Sequence, residues 1–190
     1  MAKKILVLSG SPKKDGNTVA LVNWFCEGAR SKNADVEIVP TAFLKYKTTG
    51  CISCRACQGF PGYECAIDDE AKPVLAKMAS VDVVVMATPL YFFGPSAQLK
   101  LIIDRMFSLY KWDNKKGTMQ TPLKGKTLAL IASAYEDVGM KALEEPFKIM
   151  AYYSSMKFES LLIPNAGESG EIKKIADARQ KAIALGKKIA

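Results

Sequence analysis

Four cysteines, Cys51, Cys54, Cys57 and Cys65, carry the most specific chemistry in this chain, spaced C-x2-C-x2-C-x7-C. Thiolates are ligands for soft metals and for iron–sulfur clusters. The first three converge only if the backbone curls, because a straight helix would spread them around its axis. The segment from Gln58 to Glu64 holds two glycines and a proline, which lets Cys65 fold back to join them. Such a set suits one [4Fe–4S] cluster. The same sulfurs can instead hold zinc tetrahedrally, although structural zinc more often uses two separated C-x2-C knuckles, or they can stay unmetallated. Cys26 stands apart beside Phe25 and reads as a small buried hydrophobe. The sequence contains no histidine. That excludes Ser-His-Asp and Cys-His catalysis, Cys/His zinc fingers and Rieske centres, all of which need imidazole.

A second constellation is Ser9-Gly10-Ser11-Pro12-Lys13-Lys14-Asp15-Gly16-Asn17-Thr18, between a short apolar run and a helical pattern. A strand–loop–helix junction of this kind aims unpaired backbone N–H groups and the positive end of a helix at one spot. Ser9, Ser11, Asn17 and Thr18 add short hydrogen-bonding side chains. The loop is neither the dinucleotide fingerprint G-x-G-x-x-G nor a Walker A loop, since no Gly-Lys-Ser/Thr ends it. A small phosphomonoester is its natural guest. The bland alternative is a Gly/Ser turn with an Asn or Thr helix cap.

The elements that must position these groups alternate. Ile5–Leu8, Val36–Val39, Val81–Ala87, Thr127–Ser133 and Phe158–Ile163 read as strands, the third buried on both faces. Leu21, Trp24, Phe25 and Gly28 recur at helical spacing, as do Leu99, Ile102, Ile103, Met106, Phe107 and Tyr110. A further helix is expected near Met140–Tyr153, and a last one carrying Ile172, Ile175, Ala176 and Ile183. Lys111–Lys126 reads as an excursion loop, and Asp68 as the cap of the helix after the cysteines. Strands alternating with helices make an α/β protein with helices on both faces of a parallel sheet. The length suits one domain, residues 1–190, with a cysteine-rich insert at about 44–66.

Ser9-x-Ser11 followed by Gly16-Asn17-Thr18 resembles the FMN phosphate loop of the NADPH-dependent FMN reductase and multimeric flavodoxin group. Thr88-Pro89-Leu90-Tyr91-Phe92-Phe93-Gly94, continuing through Ser96-Ala97-Gln98-Leu99-Lys100 to Ile103-Asp104-Arg105, is similar to that family's flavin-ring loop and following helix. The likeness covers most of residues 4–135. The cysteine run resembles the compact motif of iron–sulfur flavoproteins, which pair FMN with a [4Fe–4S] cluster. The resemblance implies a flavodoxin-like fold with five parallel strands in the order 2-1-3-4-5. It implies that FMN rests on Ser9, Ser11, Asn17 and Thr18 and on Pro89, Leu90, Tyr91, Phe92 and Gly94, with Ser133 and Tyr135 from a second ring loop. It implies a cluster on Cys51, Cys54, Cys57 and Cys65. The expected function is electron transfer through FMN from a reduced carrier such as ferredoxin. The rival is an NAD(P)H-dependent FMN or quinone reductase without a cluster. No catalytic side chain is expected, because the flavin supplies the reactive atom. Homodimers or homotetramers are implied as well.

The net charge is +8. The lysines are scattered, without the basic run and interleaved aromatics of a nucleic-acid binder, so the charge reads as a solvated surface that favours anionic cofactors and acidic redox partners. No apolar stretch approaches a membrane span, and the N-terminal residues lack the apolar region of a signal peptide. A cytoplasmic protein with no membrane partner is expected.

Overall fold

The structure, a computed structural model, describes residues 2–113 and 115–190. In chain order the elements are β1 (Lys4–Ser9), α1 (Asn17–Arg30), β2 (Asp35–Pro40), α2 (Ala71–Ser80), β3 (Val83–Tyr91), β4 (Gly94–Pro95), α3 (Ala97–Arg105), β5 (Lys111–Asp113), β6 (Thr118–Gln120), β7 (Thr127–Ser133), α4 (Met140–Tyr153), β8 (Lys157–Ile163) and α5 (Ala178–Ile189). Single 3-10 turns occupy Thr41–Phe43, Ala56–Gly59, Met106–Leu109 and Glu171–Lys174.

The main sheet runs β2-β1-β3-β7-β8 with every one of these pairs parallel, and the two-residue β4 pairs antiparallel to β3. This is the flavodoxin-like architecture. The expected count of five strands in the order 2-1-3-4-5 is corrected: three short strands, β4 to β6, intervene between the third and fourth long ones. The three central strands are apolar almost throughout because helices cover both faces. Side-chain alternation sorts them into two layers. Leu6, Leu8, Val84, Met86, Leu128 and Leu130 pack on α2, α3 and α4. Ile5, Val7, Val83, Val85, Ala129 and Ile131 pack on α1 and α5. Each Val, Leu, Ile or Met among them contributes about 1.5–3 kcal/mol by leaving water.

Helices α1 and α5 touch backbone to backbone through glycines. A Cβ on Gly28 would stand 2.1 Å from the Ile183 carbonyl oxygen, and one on Gly186 would stand 2.1 Å from that of Phe25. This close crossing holds α1 rigidly, and α1 begins at the phosphate loop.

Several expectations need correction. β3 starts at Val83 and runs through Tyr91, so the first half of the ring loop is still strand. The stripe from Leu99 to Tyr110 is α3 only to Arg105, then a 3-10 turn. Ile172 belongs to the 3-10 turn Glu171–Lys174, and Ile175 and Ala176 lie outside any helix. Within the excursion Lys111–Lys126, β5 and β6 pair as a hairpin; Asn114 lies outside the described residues. Asp69 rather than Asp68 serves the start of α2, where its Oδ1 accepts from the Ala71 N–H at 3.1 Å.

Candidate functional site

A cleft of about 270 Å³ opens beyond the carboxyl ends of β1, β3 and β7. Between β1 and β3 the sheet order reverses, and open α/β sheets bind ligands at such a switch point. One wall is the start of α1. Its first N–H groups precede any intrahelical partner, no side chain caps them, and no acidic residue sits in the first turn. Lys13 stands in the same wall. Uncapped donors, a positive helix end and a lysine make an anion cradle.

Of the residues the sequence pointed to, Ser11, Asn17, Thr18, Pro89, Leu90, Tyr91, Ser133 and Tyr135 line this cleft. Ser9 is buried and lines the adjoining groove on the β2 side of the loop. Phe92, 97% exposed, and Gly94 do not line the cleft.

The small polar side chains are already engaged. Ser11 Oγ donates to the Lys13 carbonyl at 3.0 Å and accepts from the Lys13 N–H at 3.2 Å, closing the turn on itself. The hydroxyls of Thr18 and Ser133 share a hydrogen bond of 2.9 Å, which joins α1 to the end of β7. Asn17 is fully committed. Its Nδ2 donates to the carbonyls of Ala166 (2.9 Å) and Glu168 (2.8 Å), and its Oδ1 accepts from the N–H groups of Gly170 (2.9 Å) and Ile172 (3.3 Å). Asn17 is therefore the anchor of the loop over residues 164–172, which supplies a further wall of the cleft. Tyr135 lies against that loop: a Cβ on Gly167 would meet its ring at 2.1 Å.

The ring loop is a tight hairpin. Tyr91 pairs with Gly94, and Phe92 and Phe93 between them take φ of 46° and 67°. Two consecutive left-handed residues match the twist of a two-residue hairpin, but bulky side chains rarely adopt them, and the strain is of the kind stored at ligand sites. Phe93 is held against Gly139, itself at φ 86°, where a Cβ would stand 2.6 Å from the Phe93 ring. Ser96 ties this loop to the phosphate loop: its Oγ donates to the Gly10 carbonyl at 2.7 Å and caps α3 by accepting from the Leu99 N–H. Thr88 Oγ1 in turn accepts from the Ser96 N–H at 2.9 Å. Thr88, Ser96, Lys13 and Gly167 were not singled out as site residues. Ser96, three residues before Leu99 at the head of an apolar stripe, carried a legible cap signal.

Apart from the cleft, all four clustered cysteines line one small pocket, with Arg55, Arg105 and Phe107 among its walls. The backbone curls there, with Ser53 and Arg55 both at φ 55°. Cys57 and Cys65 are buried, Cys51 and Cys54 exposed. Among the described residues, no three Cys, Asp or Glu side chains stand as a ready metal-binding group. Lys111 anchors the segment by donating to the carbonyls of Cys57 and Phe60, and Gln58 Nε2 donates to the Tyr110 carbonyl at 2.9 Å.

The deepest group there is Arg105, 1% exposed. Its Nη1 reaches both carboxylate oxygens of Asp69 at 2.8 Å, and Nη2 donates to the Ile67 carbonyl at 3.1 Å. Burial works to raise the Asp69 carboxyl. Hydrogen bonds from Arg105 and from the N–H groups of Lys47 and Ala71, with the guanidinium charge, outweigh burial and hold it below the usual carboxylate range. The Arg105 Nε–H is buried and has no hydrogen-bond partner. A buried, unpaired donor beside four sulfurs fits an anionic occupant. Cys26 differs: burial, opposed by the Arg30 charge, pushes its thiol up to about 11, the behaviour of an inert core thiol.

The family model described as NADPH-dependent FMN reductase matches residues 3–166. An iron-sulfur flavoprotein of Methanocaldococcus jannaschii is 33% identical over 102 residues, 54% of this chain and 51% of that protein. The chain spans about half the length of the iron-sulfur flavoproteins it matches. A Bacillus subtilis protein described as an NAD(P)H-dependent FMN-containing oxidoreductase is 24% identical over 89% of this chain and 88% of its own. Among solved structures, the NAD(P)H:quinone oxidoreductase from Methanothermobacter marburgensis superposes with a TM-score of 0.77 over 98% of this chain and 96% of that one. At 12% identity, that likeness shows the fold alone.

Proposed function

The chain belongs to the NADPH-dependent FMN reductase family, and we propose that it is an electron-transfer flavoprotein that binds FMN in the sheet-end cleft and a [4Fe–4S] cluster on Cys51, Cys54, Cys57 and Cys65. The observation that supports this most is the pairing of two anion-ready sites in one chain. One is an uncapped helix N-terminus facing the cleft. The other is a four-cysteine pocket holding a buried, unpaired Arg105 N–H.

Bound FMN supplies one- and two-electron redox chemistry. The chain binds and orients it. Backbone N–H groups at the start of α1, Lys13 and the Thr18 hydroxyl would hold the phosphate, with Ser9 and Ser11 shaping the turn beneath. Asn17 keeps the 164–172 loop in place as a wall. Pro89, Leu90 and Tyr91 from β3 and Ser133 and Tyr135 from the end of β7 and the loop after it would line the ring's part of the cleft and exclude water, with Phe92 and Gly94 setting the hairpin that follows β3. The strained hairpin fixes the wall before any ligand arrives, which lowers the cost of ordering it on binding. At the second site, four thiolates without imidazole match iron–sulfur ligation.

The electron donor is a reduced carrier such as ferredoxin, or NAD(P)H, and the basic surface suits an acidic partner. Exposed Ile149 and Tyr152 on α4 offer apolar surface for a homodimer or homotetramer, which light scattering on the purified protein tests. A cytoplasmic location is part of the same reading; no helix among the described residues is long and apolar enough to cross a membrane.

Anaerobic purification followed by flavin chromatography and iron analysis tests the reading. It requires FMN rather than FAD and about four irons per chain. FMN without iron transfers the assignment to a second reading, an NAD(P)H-dependent FMN or quinone reductase. The match to the Bacillus protein along most of the chain favours that reading, and fast steady-state NAD(P)H oxidation with a quinone would establish it.

A further inference from the structure

We propose that Arg105 is a positioning residue for the cysteine pocket, its Nε–H donated to the sulfur-bound anion and its charge offsetting that anion's. This rests on the cluster reading above. Three observations carry it. The guanidinium is 1% exposed and lines the same pocket as all four cysteines. Two of its three nitrogens are spent away from the sulfurs, Nη1 on Asp69 and Nη2 on the Ile67 carbonyl, and these bonds fix the plane of the fork. The third, Nε, is buried without a partner.

A buried N–H left unpaired carries the full cost of its lost hydration. That cost disappears if an acceptor occupies the pocket. Neutral thiols are poor acceptors, while thiolate and sulfide sulfurs are better ones. Four thiolates around a cluster also bring net negative charge beside the buried side of the pocket, where Cys57 and Cys65 lie and a compensating cation is favoured. Asp69 neutralises Arg105 only from one side, so the fork bridges a carboxylate and the cysteine pocket. Hydrogen bonds to cluster sulfurs and net charge set a cluster's reduction potential. Donor and positive charge both favour the reduced, more negative state. Arg55 lies in the same pocket wall but is exposed, and solvent screens it.

The test is an anaerobic reductive titration of iron-reconstituted protein, followed by visible absorption and by the paramagnetic signal of the reduced cluster. Arg105→Lys keeps a cation for Asp69 but has no Nε–H. Should that variant fail to fold, Arg105→Gln with Asp69→Asn removes both buried charges together and leaves an amide pair in their place. Bound FMN and the melting temperature report on the fold in each case. The expected result is a cluster midpoint more negative than that of wild type, in whichever variant folds, with FMN content unchanged. A residue that only braces the fold would lower the melting temperature and leave the midpoint where it was, and that outcome overturns the proposal while the cluster reading stands. Wild-type protein that takes up no iron on reconstitution overturns both.

Discussion

The cleft beyond the sheet and the pocket of four cysteines belong to one chain, yet they are built by opposite means. The cleft is assembled from the ends of regular elements. β1, β3 and β7 set the positions of Ser9, Pro89 and Ser133 through ladder register, and many weak hydrogen bonds, Thr18 to Ser133 and Ser96 to Gly10 among them, hold the loops. The pocket is made of irregular chain, and the buried pair Arg105–Asp69 is its keystone. A distributed site tolerates losses one bond at a time. A site hung on one buried ion pair does not, because removing one partner strands the other charge.

The comparison breaks most sharply at Asp69. Asp69→Ala leaves the Arg105 guanidinium buried without its carboxylate and should cost about 3–5 kcal/mol, read as a lowered urea midpoint. No single hydrogen bond in the cleft should cost as much. Asn17→Ala comes next, since it removes all four bonds that pin the 164–172 loop. It should cost about 2–4 kcal/mol and speed amide exchange at Gly170 and Ile172, while the cysteine segment exchanges as in wild type. Thr18→Val removes one hydroxyl and should cost about 1 kcal/mol of stability. If that hydroxyl reaches the phosphate, the same variant should weaken FMN about tenfold or more and leave riboflavin, which has no phosphate, unaffected in parallel titrations.

The smallest effect is one of acidity. The folded Asp69 carboxyl titrates below its unfolded value, which is about 3.9. Its contribution is therefore complete above that value and is lost as pH falls through the lowered folded one. Urea midpoints of wild type should decline over that acid window, and those of Asp69→Asn should decline less steeply.

The two regions also differed in how far the sequence revealed them. The cleft was legible because continuous apolar runs have one use in an α/β chain, and a Gly/Ser loop between such a run and a helix has few others. Ser11, Asn17 and Thr18 were found in this way. What Asn17 does was hidden, since its partners lie about 150 positions along the chain and local pattern carries no trace of them. The cysteines were legible by type and spacing, and so was the need for a curl. Arg105 was legible only as part of the ring-loop resemblance; its ion pair was not, because only the fold brings Asp69 to it. The hairpin of β5 and β6 was taken for a loop because strands of three residues are too short to show alternation. The entry into α5 was placed early because the buried Ile172 belongs to a separate 3-10 turn whose apolar residue mimics a helical stripe.

The central claim is that one chain carries two separate centres, FMN in the cleft and a cluster on the cysteines. The most direct test changes Cys51, Cys54, Cys57 and Cys65 to serine one at a time and measures iron and FMN in the same anaerobically reconstituted samples. The account predicts that each variant loses most of its iron and keeps its full complement of FMN. Serine variants that hold as much iron as wild type, or that lose FMN together with iron, would contradict it.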